Sequence, residues 1–199
     1  MRRGRAKAKA VALGRGLETD RGTASDDAME AIAAVKARYC QCLDRKEWDR
    51  WGSLFAEDAV MQVGPSAEAA VRGRAAIKKL LREQLKRAQT LHQAWEPEVT
   101  EEGPGRVRVV WRMKDRVQTP LYVLEGAGFY EDRYVQTEDG WKIAGVRLHR
   151  NEVELRPKSL IMRTILWLHS NGWLKRLSPG ADRTLGEALY VGLGPGERP

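Results

Sequence analysis

The chain has 199 residues, which is enough for a single domain with a well-filled core plus extensions. Its formal net charge of +8 lies at its two ends, because residues 1–22 carry +5, residues 156–199 carry +4 and the remainder carries −1. A nearly neutral domain between basic ends argues against a nucleic-acid-binding fold, and a nucleic-acid partner is not expected.

The two cysteines, Cys40 and Cys42, stand two positions apart in a segment with helical periodicity. Side chains at that spacing diverge on a helix, so the two thiols cannot readily form a disulfide with each other. A chain without a disulfide framework and without an apolar signal sequence is predicted to be a reduced, cytoplasmic protein.

Residues 1–24 combine low hydrophobicity with scattered glycine, arginine and lysine. Such a stretch cannot bury enough apolar surface to offset its ordering entropy, so we expect a disordered basic tail. The alternative is an arm that binds nucleic acid or another acidic surface. Ser25, Asp26 and Asp27 then provide an N-cap and first-turn acids for a helix that extends to about residue 43.

Asp44 lies at the corner between two predicted helices. In the first helix, Ile32, Val35 and Tyr39 follow one another at spacings of three and four, so Tyr39 shares the core-facing side. The second helix is short and rich in Trp and Phe. Because Glu47 follows Asp44 by three residues, Asp44 has the alternative interpretation of a capping residue for that helix.

The remainder of the domain changes from helical to alternating periodicity. A short strand at about residues 59–63 and a third helix at about 74–88 precede four long strands, predicted at residues 90–100, 106–117, 123–136 and 141–152. This order predicts an α+β fold in which three N-terminal helices pack on a curved, mostly antiparallel sheet. Such a sheet forms a cone-shaped α+β barrel with a pocket between helices and sheet.

Residues 156–199 are predicted to form a C-terminal helical extension, with a last short helix at about 182–193. One interpretation is a helix that covers the pocket mouth or contacts a neighbouring subunit. The other is a peripheral membrane contact, because lysine and arginine accompany Trp167 and Trp173 in this segment. No run of 18 apolar residues is present, so a spanning helix is not expected.

Several short motifs occur in a fixed order between residues 27 and 155. They are Tyr39 followed by Asp44, the stretch Phe55-Ala56-Glu57-Asp58-Ala59, the stretch Gly73-Arg74-Ala75-Ala76-Ile77, and His92 near the start of the first long strand. In order and spacing they resemble the SnoaL-like branch of the nuclear-transport-factor-2-like superfamily. Residues 25–155 are therefore interpreted as a SnoaL-like domain, and the fold implies a homodimer or homotrimer.

The resemblance places a catalytic histidine at His92. Strand alternation lets this side chain point into the pocket, and imidazole is the usual group for moving a proton near neutral pH. If Asp44 meets His92 across the pocket, its carboxylate would hold Nδ1–H and stabilise the imidazolium that forms when Nε2 takes a proton. For His92 alone, the alternative is a core or surface histidine.

Two further residues are assigned roles at the site. Tyr39 would donate a hydrogen bond to a substrate oxygen or leaving group, although a buried core tyrosine is the alternative. Arg147 resembles the cation that some family members place opposite the dyad, where it would offset the charge of an enolate or departing anion. Arg150 is the alternative candidate for this role, because a register error of one or three residues exchanges the two faces of the strand. A solvent-facing charge is the remaining alternative for Arg147.

Six residues are expected to line the substrate pocket: Trp48, Phe55, Val60, Trp111, Phe129 and His149. The three histidines have no ligand-like spacing with cysteine or acidic residues, so no metal site is expected. The predicted chemistry also requires no cofactor.

The functional hypothesis is a cofactor-independent lyase or isomerase that acts on an apolar, cyclic small molecule. Tyr39, five residues before Asp44, resembles the bile-acid and scytalone dehydratases of the family more than the dehydrochlorinase, which has lysine there. Dehydration or another β-elimination is the simplest outcome. The alternative is a non-catalytic module that binds a small molecule or dimerises, in which Asp44 and His92 would not lie within hydrogen-bond distance.

Overall fold

The computed structural model describes residues 25–63 and 70–181, and five helices and six strands lie wholly within that part of the chain. The elements are α1 (Asp26–Asp44), α2 (Trp48–Gly52), β1 (Phe55–Val63), β2 (Ala70–Arg72), α3 (Arg74–Leu85), β3 (Gln89–Gly103), β4 (Arg106–Gln118), β5 (Tyr122–Thr137), β6 (Gly140–Pro157), α4 (Leu160–Ser170) and α5 (Trp173–Leu177). The disorder expected for residues 1–24 and the helix expected at 182–193 lie outside the described residues.

The six strands form one sheet in the order β2-β1-β6-β5-β4-β3. All neighbouring strands pair antiparallel except β1 and β6, which are parallel. The predicted α+β class is therefore confirmed, with helices packed against a curved, mostly antiparallel sheet that remains open at β2 and β3. The three residues of β2 were not predicted, because a strand so short shows no usable alternation.

Helix α1 begins and ends where local sequence signals place its limits. The side chain of Ser25 accepts a hydrogen bond from the backbone N–H of Ala28, which satisfies one of the free donors of the first turn. Ile32, Val35 and Tyr39 are buried along one face, as the three- and four-residue spacing predicts. The helix ends at Asp44, so this carboxylate lies at the end of a rigid element.

An aromatic cluster fills the core between α1 and the sheet. The Trp51 ring lies 4.7 Å from that of Phe55 and 5.5 Å from that of Tyr39, measured between centroids. The second helix is shorter than its aromatic stripe suggests, because Phe55 already belongs to β1 and pairs with Ile143 on β6. A strand residue at this position buries the same ring in the same core.

A buried ion pair joins α1 to the sheet. Lys36 Nζ lies 2.7 Å from Asp132 Oδ2, and both side chains are almost completely buried. The same ammonium group lies 3.6 Å from the centroid of the Tyr130 ring, and the hydroxyl of Tyr134 donates a hydrogen bond to Asp132. This pair places charge in the core on both sides of the helix–sheet contact.

The C-terminal helices follow the last strand directly. Met162 of α4 and Leu174 of α5 are buried, whereas most other side chains of the two helices are exposed. The backbone N–H of Lys158 donates to the carbonyl of Leu121, which attaches the start of this segment to the β4–β5 turn. Within residues 25–63 and 70–181, no helix has the length and apolar character required to cross a bilayer.

Candidate active site

A small cavity of about 90 Å³ lies between α1, the end of α3 and the inner face of the sheet. Leucine, valine and methionine side chains form most of its wall. Its polar groups come from Tyr39, Gln84, His92, Asp115, Tyr130 and Arg150. An apolar wall with a few convergent polar groups is the usual composition of a ligand site.

His92 lines this cavity and contacts Asp44, as expected if the two residues form a pair. The distance between His92 Nδ1 and Asp44 Oδ1 is 2.6 Å, and the backbone N–H of His92 donates to Asp44 Oδ2 at 2.9 Å. The His92 side chain is only 6% exposed. Two bonds from one residue hold the carboxylate and the imidazole in a single relative orientation.

The carboxylate receives a third hydrogen bond, from a residue that the sequence analysis did not assign to the site. Thr90 Oγ1 donates to Asp44 Oδ1 at 2.9 Å, and Lys46 Nζ donates to Thr90 Oγ1 at 2.7 Å. Lys46, Thr90, Asp44 and His92 therefore form one continuous hydrogen-bonded chain. The alternative role of Asp44 as a helix cap is not observed, since Glu47 is the N-cap residue of α2.

The backbone of Lys46 is unusual for a residue with a side chain. Its φ is 61°, in the left-handed region that glycine prefers. The N–H of Lys46 bonds the carbonyl of Leu43, and that of Glu47 bonds the carbonyl of Cys42, which is the Schellman pattern that terminates α1. A lysine in the glycine position of this turn directs its ammonium group to Thr90.

The electrostatics favour a charged Asp44. Burial would raise the pKa of this carboxyl, but the hydrogen bonds from the ring and backbone of His92 and from Thr90 outweigh burial, so the pKa lies below its ordinary value. Since the ionised carboxylate only accepts hydrogen bonds, the proton on His92 belongs on Nδ1. In the neutral imidazole, Nε2 is then the nitrogen with a free lone pair.

Tyr39 and Tyr130 bring two phenol groups to the same cavity, with ring centroids 6.1 Å apart. Burial raises the pKa of Tyr39 well above its ordinary value, and nearby Asp132 adds to the effect. Burial raises the pKa of Tyr130 in the same way, with Tyr39 as the next contribution. Both groups therefore remain protonated near neutral pH and can act as hydrogen-bond donors.

Arg150 is the arginine at the cavity, and it is held by a buried carboxylate. Its Nε donates to Asp115 at 3.1 Å, and its Nη2 donates to the same side chain. The Asp115 side chain is 1% exposed and that of Arg150 is 15% exposed. To reach β4 from β6, the Arg150 side chain crosses β5 at Gly126, where a Cβ atom would lie 2.7 Å from Arg150 Cδ.

The placement of Arg147 in the pocket was wrong. Val146, Leu148 and Arg150 line the cavity, whereas Arg147 lies on the other face of the sheet in a groove with Val60 and Arg133. Alternate strand residues point to opposite faces, so a choice between odd and even positions decides the whole set. The rival residue, Arg150, occupies the face that packs against the helices.

The six predicted pocket residues do not line this cavity. Phe55 and Trp111 are buried in the core, and Trp48 packs half-buried against it. Each of the other three is adjacent in its strand to a residue that lines the cavity: Val60 to Met61, Phe129 to Tyr130 and His149 to Arg150. Because neighbouring strand residues point to opposite faces, these three lie on the outer face of the sheet. His149 Nε2 accordingly lies 3.7 Å from Glu131, and burial followed by the charge of Arg147 lowers its pKa.

Asp115 could have been identified from the sequence. The inward residues of β4 are Val107, Val109, Trp111, Met113, Asp115 and Val117, and all six are buried. A carboxylate within an otherwise apolar series requires a buried partner, since an unpaired charge there is strongly unfavourable. Asp115 in this apolar series therefore indicates that a basic residue lies next to it at the pocket. Once the inward face of β6 is known, Arg150 is the candidate for that residue.

The comparison with family models assigns the chain. The model described as the SnoaL-like domain matches residues 25–147, which is more than half of the chain. The chain therefore belongs to the SnoaL-like family, and the resemblance noted from the short motifs is confirmed.

Similar proteins and structures include several named enzymes. The chain is 22% identical over 139 residues to "Probable cyclase FGR4" of Gibberella zeae, covering 63% of this chain and 93% of that protein. A provisionally assigned scytalone dehydratase of Novosphingobium aromaticivorans matches with 21% identity and a TM-score of 0.57, covering 63% of this chain and 85% of its own. The LinA-type3 hexachlorocyclohexane dehydrochlorinase of Novosphingobium barchaimii matches with 14% identity and a TM-score of 0.57. The match covers 65% of this chain and 90% of the dehydrochlorinase. At these identities the structures establish a shared fold.

Proposed function

We propose that this protein is a cofactor-independent lyase or isomerase, and that dehydration or another β-elimination is its reaction. The proposal depends chiefly on the 2.6 Å contact between Asp44 and His92 at the edge of an apolar cavity. The similar proteins include a dehydratase and a dehydrochlorinase, both named for elimination reactions. That similarity supports the same class of chemistry for this chain.

In the proposed reaction, His92 Nε2 removes a proton from a carbon next to a substrate carbonyl. The C–H electron pair forms an enolate, and Asp44 stabilises the imidazolium that results. Collapse of the enolate expels a β-hydroxyl group, which takes a proton from Tyr39 and departs as water. The products are an unsaturated carbonyl compound and water, and the imidazolium returns its proton to the tyrosinate. If no leaving group is present, reprotonation at another carbon gives isomerisation instead.

Arg150 replaces Arg147 in this mechanism. Its guanidinium group is at the cavity wall, where positive charge offsets the negative charge that develops on the enolate oxygen. Asp115 binds Nε and Nη2, so it fixes the orientation of the group while reducing its net charge. The role proposed for Arg150 is therefore directional hydrogen bonding to the carbonyl oxygen.

The cavity size constrains the substrate. A volume of about 90 Å³ is smaller than the ~150 Å³ in which an apolar cavity holds a benzene ring. Gln84 is exposed and Leu85 is half-buried at the end of α3, so this part of the wall can move at the lowest cost. We therefore propose an apolar substrate with one small ring at the reacting end, admitted by displacement of these two side chains.

The non-catalytic alternative has less support. A module that only binds or dimerises does not require a hydrogen-bonded Asp–His pair, and that hypothesis expected the two groups to lie apart. Their observed contact favours proton chemistry. Binding without turnover remains the outcome that would restore the alternative.

The test uses small cyclic β-hydroxy ketones as substrates, because loss of water yields an enone that is followed by its ultraviolet absorption. Hydrogen exchange at the activated carbon in deuterium oxide reports proton abstraction even without elimination. We expect His92→Ala and Asp44→Asn to lower both rates by at least about 100-fold, the usual contribution of a general base.

His149→Ala is the matched control, because this histidine lies on the outer face of the sheet and contacts Glu131 rather than the cavity. It should retain both rates. Undiminished turnover in His92→Ala, or binding of the ketones by the intact chain without exchange or elimination, would contradict the proposed chemistry.

A further inference from the structure

The C-terminal helices expose an unusual amount of apolar surface. Leu160, Ile161, Trp167, Trp173 and Leu177 are all strongly exposed, at 76%, 66%, 58%, 48% and 69% respectively. We call these five residues the C-terminal surface. They account for most of the large apolar side chains that are exposed in the described part of the chain. Concentration of apolar area in one segment indicates a contact surface rather than scattered exposure.

The apolar side chains of α4 point away from the protein for a geometric reason. Leu160 and Trp167 are seven residues apart, which places them on one face of a helix. Met162, which lies on the opposite side, is buried and anchors the helix to the domain. In α5, Trp173 and Leu177 are four residues apart and share a face, while Leu174 is buried. Both helices are thus anchored by one buried residue and present apolar side chains outward.

The charge of the same segment has a single sign. No acidic residue occurs between Pro157 and Asp182, whereas Lys158, Arg163, Lys175 and Arg176 lie within this interval. All four basic residues are exposed, and within residues 25–63 and 70–181 none of them forms an ion pair. The Arg176 guanidinium lies over the Trp173 ring, 5.4 Å from its centroid. Exposed apolar and cationic groups therefore alternate along this segment.

We propose that the C-terminal surface binds the surface of an anionic lipid bilayer. Apolar side chains that include tryptophan, next to lysine and arginine without acidic residues, match the acyl boundary and the negative headgroups of such a membrane together. Nucleic acid would use the cations but not the exposed leucine and isoleucine. A two-fold contact that joined this surface to its own copy would bring two positively charged segments together, and the segment provides no acidic residue to offset them.

The experiment is sedimentation of the full chain with phosphatidylcholine vesicles, with and without phosphatidylserine. Binding is expected only to vesicles that contain phosphatidylserine and should fall as salt rises. The variant Arg163→Gln/Lys175→Gln/Arg176→Gln should bind about 100-fold more weakly, given the usual contribution of a basic residue near such a surface. Trp167→Ser/Trp173→Ser should also weaken binding, by about 10-fold or more.

Two matched controls distinguish binding by the C-terminal surface from an effect of the overall charge or of any exposed tryptophan. Lys79→Gln/Arg82→Gln/Arg87→Gln removes the same charge from exposed positions near α3, and Trp95→Ser removes an exposed tryptophan from β3. Both should bind like the unchanged chain. Because the basic residues 1–22 are present in every variant, their contribution cancels in the comparison.

Three results would overturn the proposal. They are failure to bind either vesicle, equal binding to both vesicles, and equal loss of binding in the controls. Light scattering completes the test by measuring the molar mass of each variant. If the intact chain is an oligomer that does not bind vesicles, and the tryptophan variant is a monomer, the C-terminal surface is a contact between subunits. None of these results bears on the chemistry proposed for His92.

Discussion

Asp44 is held by three hydrogen bonds, from the ring and backbone of His92 and from Thr90, and these bonds exist only while its carboxylate can accept them. Although burial opposes ionisation, these donors keep the pKa of Asp44 below its ordinary value. A carboxyl whose pKa is depressed in the folded state stabilises that state when it is ionised. The contact between Asp44 and His92 therefore contributes to the stability of the fold.

The sign of this contribution predicts a pH dependence. The stabilisation is fully present above the unfolded aspartate pKa of about 3.9 and is lost as the pH falls through the lower pKa of the folded protein. Asp44→Asn should therefore be less stable than the unchanged chain at neutral pH, and the difference should shrink in acid. Urea unfolding of both proteins across the acidic range measures it. A difference that stays constant with pH would mean that Asp44 has no depressed pKa.

Lys46 provides a second prediction about a single residue. Its left-handed backbone is unfavourable for any residue with a Cβ atom, by about 1 kcal/mol or more. Lys46→Gly and Lys46→Ala both remove the hydrogen bond to Thr90, but only glycine relieves the backbone strain. The glycine variant should have the larger free energy of unfolding, by about 1 kcal/mol. Equal stability of the two variants would contradict the left-handed conformation.

Between elements, β5 separates the strands that carry Arg150 and Asp115, and glycine at position 126 makes their contact possible. A Cβ atom at Gly126 would lie 2.5 Å from Asp115 Oδ1 and 2.7 Å from Arg150 Cδ. Real side chains do not approach this closely, so the arginine could not keep its present path. The contact between Arg150 and Asp115 therefore requires a residue without a side chain at position 126, in the strand between them.

Gly126→Ala should consequently lower the free energy of unfolding by about 1–3 kcal/mol, the usual range for overpacking. Gly145→Ala is the matched control, because a Cβ atom there would make ordinary contacts at 3.7 Å in the same sheet. The control should be nearly neutral. Denaturant unfolding compares the two, and a Gly126→Ala variant as stable as the control would show that Arg150 does not need this path.

At the scale of the whole molecule, the buried pair of Lys36 and Asp132 joins the helical layer to the sheet. Removing one member leaves the other charge buried without its partner, which costs about 3–5 kcal/mol. Lys36→Met should therefore be severely destabilised. Lys36→Met/Asp132→Asn should recover part of the loss, because no uncompensated charge remains in the core.

Lys78→Met is the control for this experiment. Lys78 pairs with Asp49, whose side chain is 96% exposed, and surface pairs contribute about 0–1 kcal/mol. Urea unfolding measures all three variants. Similar losses for Lys36→Met and Lys78→Met would place the Lys36 pair in a solvated environment.

The quaternary structure of the protein is a further property of the whole molecule. The homodimer or homotrimer implied by the family remains a prediction, as does the cytoplasmic location. Light scattering of the intact chain measures the first directly, and the vesicle experiment decides whether the C-terminal surface takes part in it.

The sequence alone predicted most of the elements and the contact between Asp44 and His92. Helix α1, from its Ser25 cap through the stripe that contains Tyr39, and the four long strands follow from local spacing, which is the same in any tertiary context. The order of the family motifs also led us to expect Asp44 near His92, and the two side chains are in contact. These features could be predicted because each is encoded by neighbours along the chain or by a pattern shared with relatives.

Only the tertiary structure decided which side of each strand faces the cavity. Alternation divides β6 into the set of Arg147 and His149 and the set of Val146, Leu148 and Arg150, but it does not say which set packs against the helices. That choice depends on the pairing of β6 with β1 and β5, and on the irregularity beyond Arg150 that changes the register. The path of Arg150 across Gly126 to Asp115 joins residues from three strands, so it exists only once the sheet has formed.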